Sequence, residues 1–541
     1  MPTYSKVSFG DAARSRVLAG ATTLADTVRV TLGPRSRSVL MGSAWGAPVV
    51  CDDGVTIAKR IHLEDPLEDL GAQMIRQAAV RTGDAVGDGT STATILAHAI
   101  FAEGVRNVVA GASATELRKG MVVASTAAIA ALRGMAQPVG SRTEKVQVAT
   151  VSAHGDRVIG ELVGDAVDRI GPDGVVTVEE AKTTDTSIEV VEGLRFDRGF
   201  LSPYFVTVPE RMETVLERPY VLLTDRRITS IKDLVGVLEA VAKAARPLLV
   251  IADDVGGDAL ATLVVNRLRG VIEVCAVKAP GYGDRRKEML EDIAILTAGQ
   301  VVGEELGVKL EAIDVGMLGT AQRAVIDRDS TTLVGGAGAK ERVHGRLEEL
   351  RRRLEDTTLS EYDREALQSR RAKLSGGVAV VRVGAPSEAE MKQRKEAVED
   401  AIHATQAAIA EGIVAGGGVA LARAIEAVHR AEEALSGDQR TGARIVASAL
   451  AAPLRQIAEN SGIDAGVAVD RVLGGSGGFG LDAATLVYGD LLAAGIVDPL
   501  KVVRVALENA VSVAGTLLLA EASITDVEAP KRERDEERDE A

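Results

Sequence analysis

Aromatic residues are scarce in this chain: 6 Phe, 6 Tyr and 1 Trp among 541 residues, against a hydrophobic share of 46%. The core therefore has to be built from Ala, Val, Leu and Ile, closely packed, which suits a soluble protein with much helix. Long apolar runs are missing too. The longest uncharged stretches, residues 38–51 and 89–102, reach 14 residues, short of the roughly eighteen that a membrane helix requires. Two cysteines, Cys51 and Cys275, cannot make a disulfide framework. Basic excess is lacking as well: 63 Lys and Arg stand against 78 Asp and Glu, a net charge of −15. That balance argues against nucleic-acid binding, which needs clustered Lys and Arg to release counterions. The first sixteen residues carry charges but no apolar h-region, so no secretory signal is expected. The expectation is a cytoplasmic, multidomain protein, with three or four domains at about 150 residues each.

What is present begins with helical periodicity. Val17, Leu24 and Val28 recur at helical spacing, and the pattern stops at Leu32-Gly33-Pro34. A short strand is expected over 47–51, before a tight turn at Asp52-Asp53-Gly54. Helix is expected over 67–82, broken at 83–89, and again over 92–102. From about Gly134 the segments shorten and become richer in Val, with a turn at 171–174 before a strand over 175–178. In the middle, 247–252 (PLLVIA) reads as a buried strand, 258–268 as a helix and 271–277 as a strand. This β–α–β alternation implies a parallel sheet. Residues 339–375 read as two charged helices with an apolar stripe of Leu347, Leu350 and Leu354. After Gly376-Gly377 come a strand over 378–383 and a charged helix over 388–400. From Gly412 the chain is Ala-rich and helical again, like its first 130 residues. The pattern predicts an α+β multidomain protein in which the two ends fold together around an inserted centre. The last 14 residues carry seven acids and four bases and read as a solvated, disordered tail.

The most informative local feature is Gly87-Asp88-Gly89-Thr90-Ser91-Thr92 ahead of an apolar helix. Two glycines permit close approach of backbone to a ligand. Three hydroxyl residues at a helix N-terminus favour anions, and Asp88 offers a hard oxygen for Mg²⁺ beside a phosphate. An ordinary helix cap would show the same residue types. The loop is no Walker A motif, because the chain has no Gly-Lys dipeptide. A G-x-G-x-x-G match at Gly475, Gly477 and Gly480 follows a helix instead of a strand and reads as a loop. His62, His98, His154, His344, His403 and His429 show no metal-ligand spacing. As a lone acid ending a charged helix, Asp400 defaults to a solvated face. Leu260, Leu263, Val264 and Val265 cover more than one helix face, so part of that apolar surface is expected to point outward, as a partner site would.

Taken in order, TLGP at 31–34, GAP at 46–48, DGV at 53–55, GDGTST at 87–92, FDRGFLSPYF at 196–205, KAPGYGDRRKEML at 278–290, YDRE at 362–365, KLSGGVAVVRVG at 373–384, VEDAIHAT at 398–405 and IVAGGGVAL at 413–421 form a specific string. Together they resemble the group I chaperonins, the GroEL family, from about residue 3 to about 527. The resemblance implies a chaperonin fold in nested order: a mainly helical equatorial domain (1–134 and 411–527), a small intermediate hinge domain (135–191 and 378–410) and an α/β apical domain (192–377), with the tail at 528–541. It implies ATP hydrolysis with Mg²⁺ and K⁺, heptameric rings stacked as a 14-mer, unfolded client proteins and a GroES-type lid. Carried over by position, Thr31, Leu32, Gly33 and Pro34 would wrap the phosphates, Gly89, Thr90, Ser91 and Thr92 would cradle them, and Asp88 would hold Mg²⁺. Gly417 would contact the nucleotide, Asp498 its ribose, and Asp482, Ala483 and Ala484 its base. Asp53 and Asp400 would position the attacking water, Asp400 arriving on closure of the intermediate domain. Phe200, Tyr204, Phe205, Val235, Leu238, Leu260, Val264 and Val265 would grip clients and the lid, with glycine hinges near Gly193 and Gly376-Gly377.

Three departures from the family pattern point to a specialised paralogue. Asp52 stands where the family usually has Lys, so a cation facing phosphate has become an anion, and weaker ATP binding or a stronger dependence on Mg²⁺ and K⁺ is expected. Ala410 stands where an acid is common, so an ion pair to Arg504 is expected to be lost. The usual Gly-Gly-Met repeats of the tail are replaced by mixed charge. A competing expectation is a holdase or interaction scaffold whose ATP turnover is too weak for a folding cycle. A metabolic enzyme using the β–α–β unit has little support, because that unit carries no phosphate loop.

Overall fold

The computed structural model describes residues 3–42, 48–153, 155–171, 175–181, 183–191, 193–209, 211–303, 310, 313–355, 360–375 and 377–528. The tail beyond Glu528, residues 172–174 of the expected turn, His154, Gly376 and residues 46–47 of the GAP motif lie outside the described residues. The chain divides into two compact units, one formed by Met1–Asp165 with Ala385–Ala541, the other by Ala166–Gly384.

The first unit is built of Ala-rich helices that approach one another almost at backbone distance. In Gly10–Arg29 the residues Val17, Ala21, Leu24, Ala25 and Val28 are buried at helical spacing. This helix crosses Pro66–Val86 through two glycines. A Cβ on Gly20 would sit 1.8 Å from the Glu68 carbonyl oxygen, and one on Gly71 would sit 1.9 Å from that of Val17. Gly120 and Gly442 do the same for Ala114–Met135 and Gly437–Ala449, each against the partner helix's carbonyl. With helices this close, the contacts between them are made by small side chains, in keeping with the low aromatic content. The core continues into Thr90–Val109, Val419–Glu432 and Leu500–Leu518, the last burying Val503, Ala506, Leu507, Ala510 and Ala514. The first and last described segments pair as antiparallel strands, Thr3–Phe9 with Ala522–Glu528.

The second unit carries a mixed sheet. Leu248–Ala252, buried at every position, lies parallel to Val274–Lys278 on one side and Tyr220–Thr224 on the other, with Leu249 opposite both Cys275 and Val221. The Gly257–Leu268 helix connects the first two strands, giving the expected β–α–β unit, though its second strand starts at Val274. Gly319–Ile326, Thr331–Gly336 and Gly193–Phe196 extend the sheet antiparallel. A separate three-stranded sheet places Val378–Val383 between Val175–Glu180, parallel, and Ser187–Val191, antiparallel. The charged helices are Lys340–Leu354 and Glu361–Ser375. Leu350 is fully buried, whereas Leu347 and Leu354 are partly so. Arg346 and Arg370 from these helices both bond the buried Asp292, at 2.8 and 2.7 Å. Two buried guanidinium groups on one buried carboxylate satisfy charges that would be costly alone.

Four sequence expectations change. The Pro66–Val86 helix runs through Gly83 and ends at Gly87 in the left-handed region. Asp52-Asp53-Gly54 is no free turn but the start of a helix, Gly54–Arg60. The 388–400 helix continues to Glu411, because Ala401, Ala404 and Ala408 supply a buried face beyond Asp400. Asp400 is therefore mid-helix. Finally, Ala410 does not leave Arg504 unpaired: the neighbouring Glu411 accepts two hydrogen bonds from its guanidinium, at 3.0 and 2.6 Å. The Gly475–Gly480 stretch does follow a helix, Ala465–Leu473, and leads into the strand Phe479–Asp482. Among the described residues no helix is long and apolar enough to cross a membrane.

Candidate functional site

Within the first unit, a cavity of roughly 760 Å³ gathers residues from segments far apart in sequence. Several helices start at its wall, and two of them, Thr90–Val109 and Val419–Glu432, do so behind glycine N-caps that place no side chain on the first-turn N–H groups. The first-turn N–H groups of a helix have no acceptor within it and carry the positive end of its dipole. Several starts at one cavity make a site for an anion.

The Gly87–Gly89 loop is shaped for this. Both glycines adopt positive φ, +72° and +76°, so the chain leaves one helix and enters the next within three residues. A Cβ on Gly89 would meet Val502 at 2.6 Å. Asp88 between them accepts from the Gly89 N–H at 2.5 Å on Oδ1 and from the Ser152 hydroxyl at 3.0 Å on Oδ2. The Thr31 hydroxyl donates to the Val28 carbonyl at 2.9 Å, which leaves Ser91 to donate to Thr31 across 3.1 Å. Leu32, Gly33 and Pro34 line the cavity next to it, as do Thr90 and Thr92. Asp53 caps its own helix, accepting from the N–H groups of Val55 (3.2 Å) and Thr56 (2.8 Å).

The opposite wall comes from the last third of the chain. Ile413–Ala415 pairs with Val497–Pro499, setting Asp498 opposite Val414. Gly417 and Gly418 follow with φ of +63° and +77°, and Gly418 opens the next helix. Asp482 holds a turn, accepting from the N–H of Ala484 (2.9 Å) and the hydroxyl of Thr485 (2.6 Å), and Ala483 and Ala484 line the cavity beside it. Every nucleotide-site residue expected from the sequence thus lines this one cavity, Asp400 included.

The charged residues of the lining are nearly all acidic. Asp52, Asp53, Asp88, Asp400, Asp482 and Asp498 face it, with Arg157 the one basic residue among the lining residues. Burial pushes the Asp400 carboxyl well above the usual carboxylate range, and the charges of Asp88 and Asp53 push it further. Burial and Asp88 raise Asp498 to about 7. Burial and Asp53 raise Glu396, one turn before Asp400, to about 6. Asp400 and Asp498 keep some accessible surface, and both line the cavity. Such a wall repels a polyphosphate unless cations come with it. Among the described residues no three His, Cys, Asp or Glu side chains converge to hold a metal by themselves. One carboxylate beside an anion-binding helix start is the donor set Mg²⁺ uses when substrate phosphates supply its other ligands. The residues fit Mg²⁺ in that role.

A third wall was not anticipated. Thr143, Gln147 and Thr150 of the Arg142–Ser152 helix face the cavity at positions i, i+4 and i+7, followed by Ser152. A polar stripe at that spacing behind a Ser141/Glu144 capping box was the readable signal.

The expected client residues lie in the second unit and do not all reach its surface. Tyr204 is 65% exposed, and Val235 and Val265 are each 42% exposed. Phe200, Leu260 and Val264 are partly buried against the core. Phe205 and Leu238 are buried, at 0% and 8%, and belong to that core. The short Pro203–Phe205 3₁₀ turn explains the split, since successive side chains there diverge by about 120° and Tyr204 faces out while Phe205 turns in.

Residues 24–527 match the model of the TCP-1/cpn60 chaperonin family. The chain is 62% identical over 531 residues to "Chaperonin GroEL 5" of Bradyrhizobium diazoefficiens, covering 98% of each chain.

Proposed function

Because this chain belongs to the TCP-1/cpn60 chaperonin family, we propose that it is an ATP-driven folding chamber whose nucleotide site is the acidic cavity described above. The observation that carries the reading is the meeting of two helix starts without side-chain caps, those of Thr90–Val109 and Val419–Glu432, with Asp88 in one cavity. Thr90, Ser91 and Thr92 present N–H groups and hydroxyls to the phosphates, and Thr31–Pro34 close over them. Asp498 takes the ribose hydroxyls, and residues 482–484 lie beside the base. Asp88 would hold Mg²⁺, which supplies neutralisation of phosphate charge, and K⁺ would serve the same end beside it. Asp400 and Asp53 orient the attacking water. Asp53 is immobilised by its cap bonds, whereas Asp400 is carried by a helix whose seating sets its reach, which makes hydrolysis depend on conformation.

The equatorial domain spans 1–134 and 411–527, the intermediate domain 135–191 and 378–410, and the apical domain 192–377. Tyr204, Val235 and Val265, with Phe200, Leu260 and Val264 at their edge, form the apolar surface for unfolded clients and for a GroES-type lid. Non-polar contact of this kind is indifferent to client sequence. Subunits assemble as heptameric rings, stacked as a 14-mer, in the cytoplasm.

The test is steady-state ATP hydrolysis with particle mass recorded in the same buffer and Asp400→Ala as the blank. Turnover on a ring-sized particle that vanishes in the variant supports the folding cycle. An assembled ring without turnover would leave a holdase.

A further inference from the structure

We propose that Ser152 is a positioning residue for Asp88, fixing the orientation of the carboxylate that meets the metal; this rests on the nucleotide-site reading above. Ser152 is the last residue of the Arg142–Ser152 helix. A hydroxyl residue in a helix ordinarily turns back to the carbonyl four residues earlier. Thr150, two residues before, does so, donating to Val146 at 2.7 Å. Ser152 instead points outward and directs its single proton to Asp88 Oδ2, 3.0 Å away and 64 positions distant in sequence.

The bond matters because of what surrounds Asp88. Its other oxygen is held by the Gly89 N–H of its own loop, which by itself would let the carboxylate pivot about that contact. A pivot of that kind would change which lone pairs the carboxylate presents to the cavity, which Asp88 lines. The Ser152 hydroxyl blocks it, and leaves lone pairs of both oxygens available to a cation. Orientation of the metal-facing carboxylate is thereby tied to the seating of a separate helix, whose Thr143, Gln147 and Thr150 line the same cavity. Partners of this kind, which touch a metal's ligand and not the metal, change metal affinity by about 10- to 100-fold when removed.

The experiment is a MgCl₂ titration of the binding of a non-hydrolysable ATP analogue to the assembled protein, with a parallel series in EDTA. Ser152→Ala is expected to raise the Mg²⁺ concentration for half-maximal binding about tenfold, with a smaller change in EDTA. Ser152→Thr, which keeps the hydroxyl, is expected to return the midpoint to that of the wild type. A wild-type midpoint in Ser152→Ala overturns the proposal, and so does an equal loss with and without Mg²⁺, which would mark a packing role. A wild-type protein that binds no nucleotide under any condition would instead overturn the nucleotide-site reading.

Discussion

Asp52 offers the sharpest quantitative test of how this cavity handles charge. It is half-buried, lines the cavity directly ahead of the Asp53 cap, and its charge helps to raise both Glu396 and Cys51. Replacing it by Lys converts a repulsion with bound phosphate into an attraction. At an effective dielectric near 20, one charge pair about 8 Å apart is worth about 2 kcal/mol, so the reversal counts for about 4 kcal/mol. Solvent reaches Asp52 and a lysine head can swing into water, which we take to halve the gain, to about 2 kcal/mol, or about 30-fold in affinity. The substitution also has a cost. A cation next to a helix start opposes the dipole by about 0.3–1 kcal/mol, so Asp52→Lys should bind ATP more tightly while melting slightly earlier. Calorimetric titration with ATP in Mg²⁺ and K⁺, on an Asp400→Ala background to prevent turnover, measures the affinity, and Asp52→Asn should give about half the gain in free energy. Equal affinity in the parent protein and in both the Asp52→Asn and Asp52→Lys variants would refute the electrostatic reasoning.

Three other outcomes follow from the same structure. His98 accepts from Arg29 on Nδ1 (3.3 Å) and donates from Nε2 to Thr22 (3.0 Å); burial, then Arg29, lowers it to about 4. Its folded value lies below the unfolded one, so its stabilisation is complete above about pH 6.5 and is lost as pH falls towards 4. Denaturation at pH 7 and pH 5 should show the wild type losing about 2 kcal/mol more than His98→Gln. Gly71→Ala places a Cβ 1.9 Å from the Val17 carbonyl oxygen and should cost about 3 kcal/mol or more by urea unfolding, whereas Gly111→Ser, in open space, should cost only the strain of its positive φ. In the second unit, Tyr204→Ser with Val265→Ser should abolish capture of a denatured client in an aggregation assay without changing ATP turnover. The buried Phe205, by contrast, should reveal itself as a loss of folding when cut to Ala.

Local elements of this fold are legible in the sequence because they depend on periodicity and on caps within a few residues. The spacing of Val17, Leu24 and Val28, the β–α–β run from Leu248 to Lys278, the strand Val378–Val383 and the helix start after Gly89 all belong to this class, and so do the motif strings that mark the family. Tertiary structure decided the rest, because the deciding partners are remote. The helix past Asp400 persists only because Ala401, Ala404 and Ala408 find a surface to bury against, and the strand Thr3–Phe9 exists only opposite Ala522–Glu528. Whether Tyr204 or Phe205 faces solvent is a matter of one residue's rotation, which composition does not carry. The hydroxyl of Ser152 reads as an ordinary helix end until packing brings Asp88 to within 3.0 Å of it. Each carboxylate of the cavity is ordinary in its own segment; their mutual repulsion arises because packing of apolar helices, which is indifferent to charge at the cavity wall, brings them together.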